Sequence, residues 1–293
     1  MTRFLDLRYA PVGGGLATQV NLAQATSSAD YASLSLAELQ AGIRGRNVLI
    51  VTHGFNVDRA NGIACLSNWE RLVLRYFPAD SPFSYVGVLW PGDSIWAHGL
   101  DYPDEPKVAD SAGALLAPFL DANFQGAASV SFASHSLGAR VVLATIEKMQ
   151  LPVRRLTLMA GAIDDNCLNH EFAEAAAKVG AISVLASKKD TVLSRLFPLG
   201  NFIAGILDVG HPWWRAAIGH CGPSKAWPAS FRAPFEVPYG WSFDHGSYLQ
   251  IDPAAPLLAI PVDVPPQGTP PPGGGAEGWQ EAFTSAFEST RFA

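Results

Sequence analysis

Ser134-His135-Ser136-Leu137-Gly138 lies between an apolar run and a stretch of helical spacing. A nucleophilic serine needs that placement, because a sharp strand-to-helix turn pushes its Oγ out at the carboxyl end of a sheet. The residues two before and two after it must be small, since backbone and neighbouring elements crowd there. Gly138 meets this requirement and Ser134 nearly does. The helix starting behind the serine offers N–H groups and positive potential to an oxyanion. The chemistry indicated is acyl transfer through Ser136. The competing explanation is a chance S-x-S-x-G in which a serine caps a helix. A second segment, His53-Gly54-Phe55-Asn56, closes the apolar run that starts at Asn47. Glycine lets the backbone turn tightly at a strand end. The Phe55 N–H can then face the nucleophile and, with the Leu137 N–H, form a two-donor oxyanion hole. His53 reads as a histidine that tethers this loop.

The elements that must position these residues alternate along the chain. Phe4 to Tyr9 alternates apolar and polar residues as a half-buried strand does. A polar stretch follows from Thr18 to Leu36. Asn47 to His53, Phe83 to Trp90, Ser129 to Ser134, Arg155 to Ala160 and Ala181 to Ser187 read as buried strands. Ile63 to Phe77, Lys107 to Asn123 with a bend at Pro118, Leu137 to Met149 and His170 to Val179 read as helices. Strands alternating with helices imply βαβ units and a mostly parallel sheet with helices on both faces. Regularity fades after Asp190. Asp252 to Gly275 holds eight prolines and only two charges, which suits an extended arm, and Trp279 to Phe292 suits a short amphipathic helix. The expected organisation is a catalytic domain over 1–251 with a cap insertion at 191–228, then a C-terminal arm over 252–293.

At the elbow and the HGFN segment the sequence resembles the α/β-hydrolase superfamily, in particular a bacterial branch with an H-G-F-N oxyanion strand and an H-S-[ML]-G-x-R elbow. Here these stand at Val48 to Asn56 and His135 to Arg140. The resemblance covers about Asn47 to Tyr248, and Ser134 replaces the commonest glycine of G-x-S-x-G. It implies the α/β-hydrolase fold and the chain order serine, acid, histidine. On that order His53 is not the base, which falls among His170, His211, His220 and His245. His170 comes too early, and His211 and His220 flank Trp213 and Trp214 in a stretch suited to a lid. His245, in the polar Asp244-His245-Gly246-Ser247-Tyr248, is preferred, as the family places its histidine on such a late loop. The acid is expected at Asp190, after the strand Ala181 to Ser187. Asp164 and Asp165, after the preceding strand, are the alternative, and either could instead cap a helix.

Composition narrows the substrate. The chain has 293 residues, 16% charged, with net charge −6. It shows no Lys/Arg cluster for a nucleic-acid backbone. No apolar run is long enough to span a bilayer, Met1 to Val12 is not expected to be a signal peptide, and three scattered cysteines suit a reducing cytoplasm. There is no phosphate-binding glycine loop, and the triad chemistry needs no metal or cofactor. A haloalkane- or epoxide-type hydrolase would carry Asp at the elbow. The expectation is an esterase or lipase-like enzyme acting on a small ester or acyl substrate. The rivals are a thioesterase, amidase or peptidase using the same triad, and a non-catalytic binding protein whose Pro-rich tail engages a partner. Leu193 to Trp214 supplies apolar area for a cover over Ser136, and Trp90 to Trp96 for a pocket wall. The oligomeric state, a homo-oligomer included, is open.

Overall fold

Unbroken apolar runs need cover on both faces, and the centre of the sheet provides it. The computed structural model describes residues 1–13, 15–74, 82–93, 105–195, 215–224, 231–236 and 243–248. Strands β4 (Asn47–Thr52), β5 (Phe83–Leu89) and β6 (Ser129–His135) form the middle of the sheet. Around them lie β1 (Thr2–Arg8), β2 (Leu16–Ala25), β3 (Ala32–Ser33), β7 (Val153–Met159), β8 (Val179–Ala186) and β9 (Phe231–Glu236). The nine strands run in the order β3-β2-β1-β5-β4-β6-β7-β8-β9. Among these strands only β1–β2 and β2–β3 pair antiparallel. This is the α/β-hydrolase fold: a parallel sheet, an antiparallel N-terminal end, and a helix in each central crossover.

Among the described residues the helices include α1 (Leu36–Ile43), α2 (Arg59–Val73), α3 (Glu105–Asn123), α4 (Gly138–Lys148) and α5 (Ala173–Ala177), with a short turn of helix at Ile218–Cys221. Leu66 of α2 packs where Gly87 of β5 has no side chain. Gly138 of α4 packs over Thr52, which is in register with Val88. Successive strand residues face opposite ways, so α2 and α4 cover opposite faces. The chain leaves β4 toward β5 on one face, then passes back over β4 to reach β6 on its other side. Crossovers diverging from neighbouring strands leave a crevice at the carboxyl ends, where open α/β sheets bind ligands. The loops after β4 and β6 both open there, and they carry His53 and Ser136.

Three readings of the sequence need correction. The polar stretch from Thr18 holds β2, whose mixed exposure lets Gln19, Asn21 and Gln24 stay polar inside a strand. The helix expected over His170 to Val179 is cut to Ala173–Ala177, because Val179 already pairs with Val153 in the sheet. After Asp190 the sheet gains β9, parallel to β8. Its Arg232, Pro234 and Glu236 hide it from a search for apolar runs, and proline is tolerated at a sheet edge. Helix α3 runs through Pro118. The arm over 252–293, its terminal helix, His211, most of the expected cap, and residues 94–96 of the expected Trp90 to Trp96 wall lie outside the described residues.

Candidate active site

The turn between β6 and α4 is only Ser136 and Leu137. Ser136 has φ 53, a left-handed conformation that costs a side-chain-bearing residue about 1–3 kcal/mol. Backbone bonds hold it there. Ser136 N–H donates to Met159 O at 3.0 Å, and Ser136 O accepts from Ala139 at 3.1 Å and Ala162 at 3.2 Å. The two glycines of the motifs are demanded by close approach. A Cβ on Gly138 would lie 2.3 Å from His53 O, and one on Gly54 would lie 2.8 Å from Ser136 Cβ. The HGF loop and the elbow therefore touch, with Phe55 one residue beyond the contact. Leu137 caps α4 without a side-chain hydrogen bond, and the first turn closes through its backbone, with Ala139 N–H donating to Ser136 O and Arg140 N–H to Leu137 O.

The HGF loop is fastened from below. His53 is fully buried; its Nδ1 lies 2.9 Å from Gly54 O, and its Nε2 accepts from Trp90 N–H at 3.3 Å. That pattern is a neutral ring with the proton on Nδ1. Burial pushes its pKa down to about 4, with the Arg8 charge acting in the same direction. Trp90 Nε1–H returns a bond to His53 O at 2.9 Å. Asn56, at φ 58, donates its N–H to Gly92 O at 2.7 Å. Arg8, at the end of β1, has no exposed surface. It donates to Val57 O and Trp90 O at 3.0 and 2.8 Å and forms an ion pair with Asp93. Asp93 in turn accepts from Gly13 N–H at 3.1 Å. One guanidinium thus joins the loops after β1, β4 and β5.

Residues 243–248 bring His245 over the elbow. His245 Nε2 lies 2.9 Å from Ser136 Oγ, and its Nδ1 lies 2.8 Å from Asp190 Oδ2. Asp190 is wholly buried, and its other oxygen accepts from Leu193 N–H at 2.9 Å, capping a helical turn at 191–195. Three bonds anchor the histidine loop from its carbonyls. Ser187 Oγ donates to Phe243 O at 2.6 Å, His135 Nε2 to His245 O at 2.7 Å, and Trp69 Nε1 to Tyr248 O at 3.1 Å. Asp244 ties this loop to the Asp190 loop through Thr191 N–H and Oγ1, each at 3.0 Å, and accepts from His245 N–H at 2.9 Å. Partial burial opposes its charge, but these bonds and the adjacent imidazole hold its carboxyl below the usual range.

The other residues considered from sequence lie elsewhere. Asp164 forms a β-bridge with Ala217, and Asp165 pairs with Arg215 at 2.8 Å. Neither approaches His245 through any hydrogen bond or ion pair described. His220 Nδ1 lies 3.2 Å from Ser187 O, and His170 N–H donates to Cys167 O at 3.3 Å. His135, Asp244, Arg8 and Asp93 were not singled out as site residues. His135 stood in the elbow motif as the histidine before the nucleophile, with no role assigned to it. The others depend on partners 53 to 85 positions away, which no local spacing reveals.

No protein-family model and no curated protein matches the chain. Among solved structures it is similar to carboxyl esterase 2 of the mycorrhizal fungus Tuber melanosporum at 12% identity and TM-score 0.41, over 98% of this chain and 90% of that one. It is similar to a predicted CIB-like hydrolase from Thermoplasma acidophilum at 14% identity and TM-score 0.39, over 79% and 84%. Esterase PE8 is similar at 14% identity and TM-score 0.39, over 69% and 86%. The fold assignment rests on this chain's own strand order and crossovers.

Proposed function

We propose that the protein is a serine hydrolase that cleaves carboxylic esters through an acyl-enzyme on Ser136. The observation that carries this reading is the hydrogen-bonded line from Ser136 Oγ through His245 to Asp190, at 2.9 and 2.8 Å. A carboxylate accepts only from Nδ1–H, which leaves Nε2 free to accept the serine proton. In the proposed cycle His245 Nε2 takes the Ser136 proton as Oγ bonds to the acyl carbon. Asp190 holds the ring and stabilises the imidazolium without taking its proton. The Phe55 and Leu137 N–H groups receive the oxyanion. The tetrahedral adduct collapses, His245 protonates the departing alkoxide, and the acyl group stays on Ser136. Water repeats the attack, giving up its proton to His245, which returns it to Ser136 Oγ as the bond to the acyl carbon breaks and the acid leaves. The cycle needs no cofactor.

The apolar residues of Leu193 to Trp214 fit an apolar acyl or aryl group. Three unpaired cysteines, two of them buried, suit a reducing, cytoplasmic setting. No helix among the described residues is long and apolar enough to cross a membrane.

A fluorophosphonate tests the assignment. It should label wild-type protein on Ser136 and leave Ser136→Ala unlabelled. A folded wild type that takes no label would overturn the hydrolase reading. A label on Ser136→Ala would overturn the residue. Turnover of nitrophenyl esters should exceed that of matched thioesters and anilides; the reverse order would make this a thioesterase or amidase with the same three residues.

A further inference from the structure

The mechanism uses three side chains, yet a fourth titratable group sits against them. His135 precedes the nucleophile, is buried, and lies with its ring centroid 4.8 Å from that of His245. A carbonyl oxygen only accepts, so the 2.7 Å contact between His135 Nε2 and His245 O requires a proton on Nε2. On the ring's other side, Nδ1 faces Gly54, where a Cβ would come within 3.1 Å of it. Burial and the neighbouring His245 and His53 rings keep His135 neutral, with its pKa pushed down to about 3.

Resting on the reading of Ser136 as nucleophile, we infer that His135 is a positioning residue that holds the base by its backbone: Nε2–H grips His245 O, so that the imidazole can turn from neutral to charged without losing its place over Ser136 Oγ. The attachment point explains the choice of group. The His245 ring spends Nδ1 on Asp190 and Nε2 on Ser136, so only its main chain is free to be held. A cationic tether 4.8 Å from the ring would oppose imidazolium formation, and a buried imidazole provides the N–H without the charge. The elbow thereby sets nucleophile and base together, since adjacent residues carry the oxygen and the grip.

The test is the rate of fluorophosphonate labelling of Ser136 in three variants, with the maximal rate separated from probe affinity. Glutamine can place its amide N–H near the imidazole Nε2, whereas asparagine places it near Nδ1. His135→Leu should lower the maximal rate by about 10- to 100-fold with affinity unchanged, the scale of loss that a misplacement of about 1 Å produces. His135→Gln should recover to within about threefold of wild type and His135→Asn should not. Equal rates for Gln and Asn, or a Leu variant as fast as wild type, would overturn the inference. If His135→Leu does not fold, the Gln–Asn contrast decides. Absence of label in wild type would instead overturn the hydrolase reading, and this inference with it.

Discussion

The two sides of Ser136 are built differently. On the oxyanion side, the HGF loop is held by buried groups: the neutral His53, the Trp90 indole, and the Arg8–Asp93 ion pair. On the base side, residues 243–248 are held by three bonds to carbonyls and by Asp244, whose bonds to Thr191 are exposed to water. The difference matches what each side must do under the proposed mechanism. Oxyanion donors work best when already aimed, since they then need no reorganisation as charge develops. The base must change charge twice in each turnover, and its loop is held through its main chain, by two buried bonds to carbonyls and by the water-exposed bonds of Asp244 to Thr191 among others. The contrast predicts that lesions on the oxyanion side cost mainly stability, and lesions on the base side cost mainly rate.

Arg8→Met should have the largest effect on stability, because it acts on a fully buried charge of the oxyanion side. It would strip the guanidinium from Val57 O and Trp90 O and leave the Asp93 carboxylate, whose side chain is only 10% exposed, without its cation. Removing one partner of a buried pair typically costs about 3–5 kcal/mol. Urea denaturation should show a loss of that size, with labelling of Ser136 falling in the fraction that remains folded. A loss under about 1 kcal/mol would mean that the oxyanion side does not depend on this clamp.

Acid tests both sides together, because each rests on a buried neutral histidine. His53 and His135 have pKa values pushed down to about 4 and about 3. The unfolded chain takes up these protons near the ordinary value of about 6.5. The stability they lend is therefore complete above about 6.5 and is lost as pH falls toward the folded values. For His53 the loss by pH 4 is on the order of 3 kcal/mol. Unfolding free energy measured from pH 7 to 4 should fall more steeply in wild type than in His53→Gln. Parallel curves would show that His53 titrates freely in the folded state.

Much of this was legible in the sequence, and what was missed shares a cause. The apolar runs of β4, β5 and β6 have only one environment that suits them, a covered parallel sheet, so fold class and the neighbourhood of Ser136 followed. Strand β2 stayed hidden because a solvated antiparallel strand can be as polar as a loop, and β9 because a proline and two charges interrupt it. For the site, Gly54 and Gly138 could be read because a turn dictates residue type there. Arg8 and Asp93 could not, because their role exists only once three strand ends converge. His135 was visible as a letter of the elbow, but its grip on His245 spans 110 positions.

Loss of the Asp244 carboxylate should separate rate from stability, with the smallest effect on folding. Its carboxylate accepts from Thr191 and from His245 N–H, joining the loop that carries Asp190 to the loop that carries His245. Exposed hydrogen bonds of this kind contribute little to stability, because water replaces them when the chain unfolds. Asp244→Ala should therefore destabilise by about 1 kcal/mol or less. It should nevertheless slow labelling of Ser136 about three- to tenfold, because the two loops would no longer hold the 2.8 Å spacing between Asp190 and His245 as tightly. Denaturation and labelling on the same preparation give both numbers. A stability loss as large as that of Arg8→Met, with labelling unchanged, would reverse the assignment of rigid and adjustable sides.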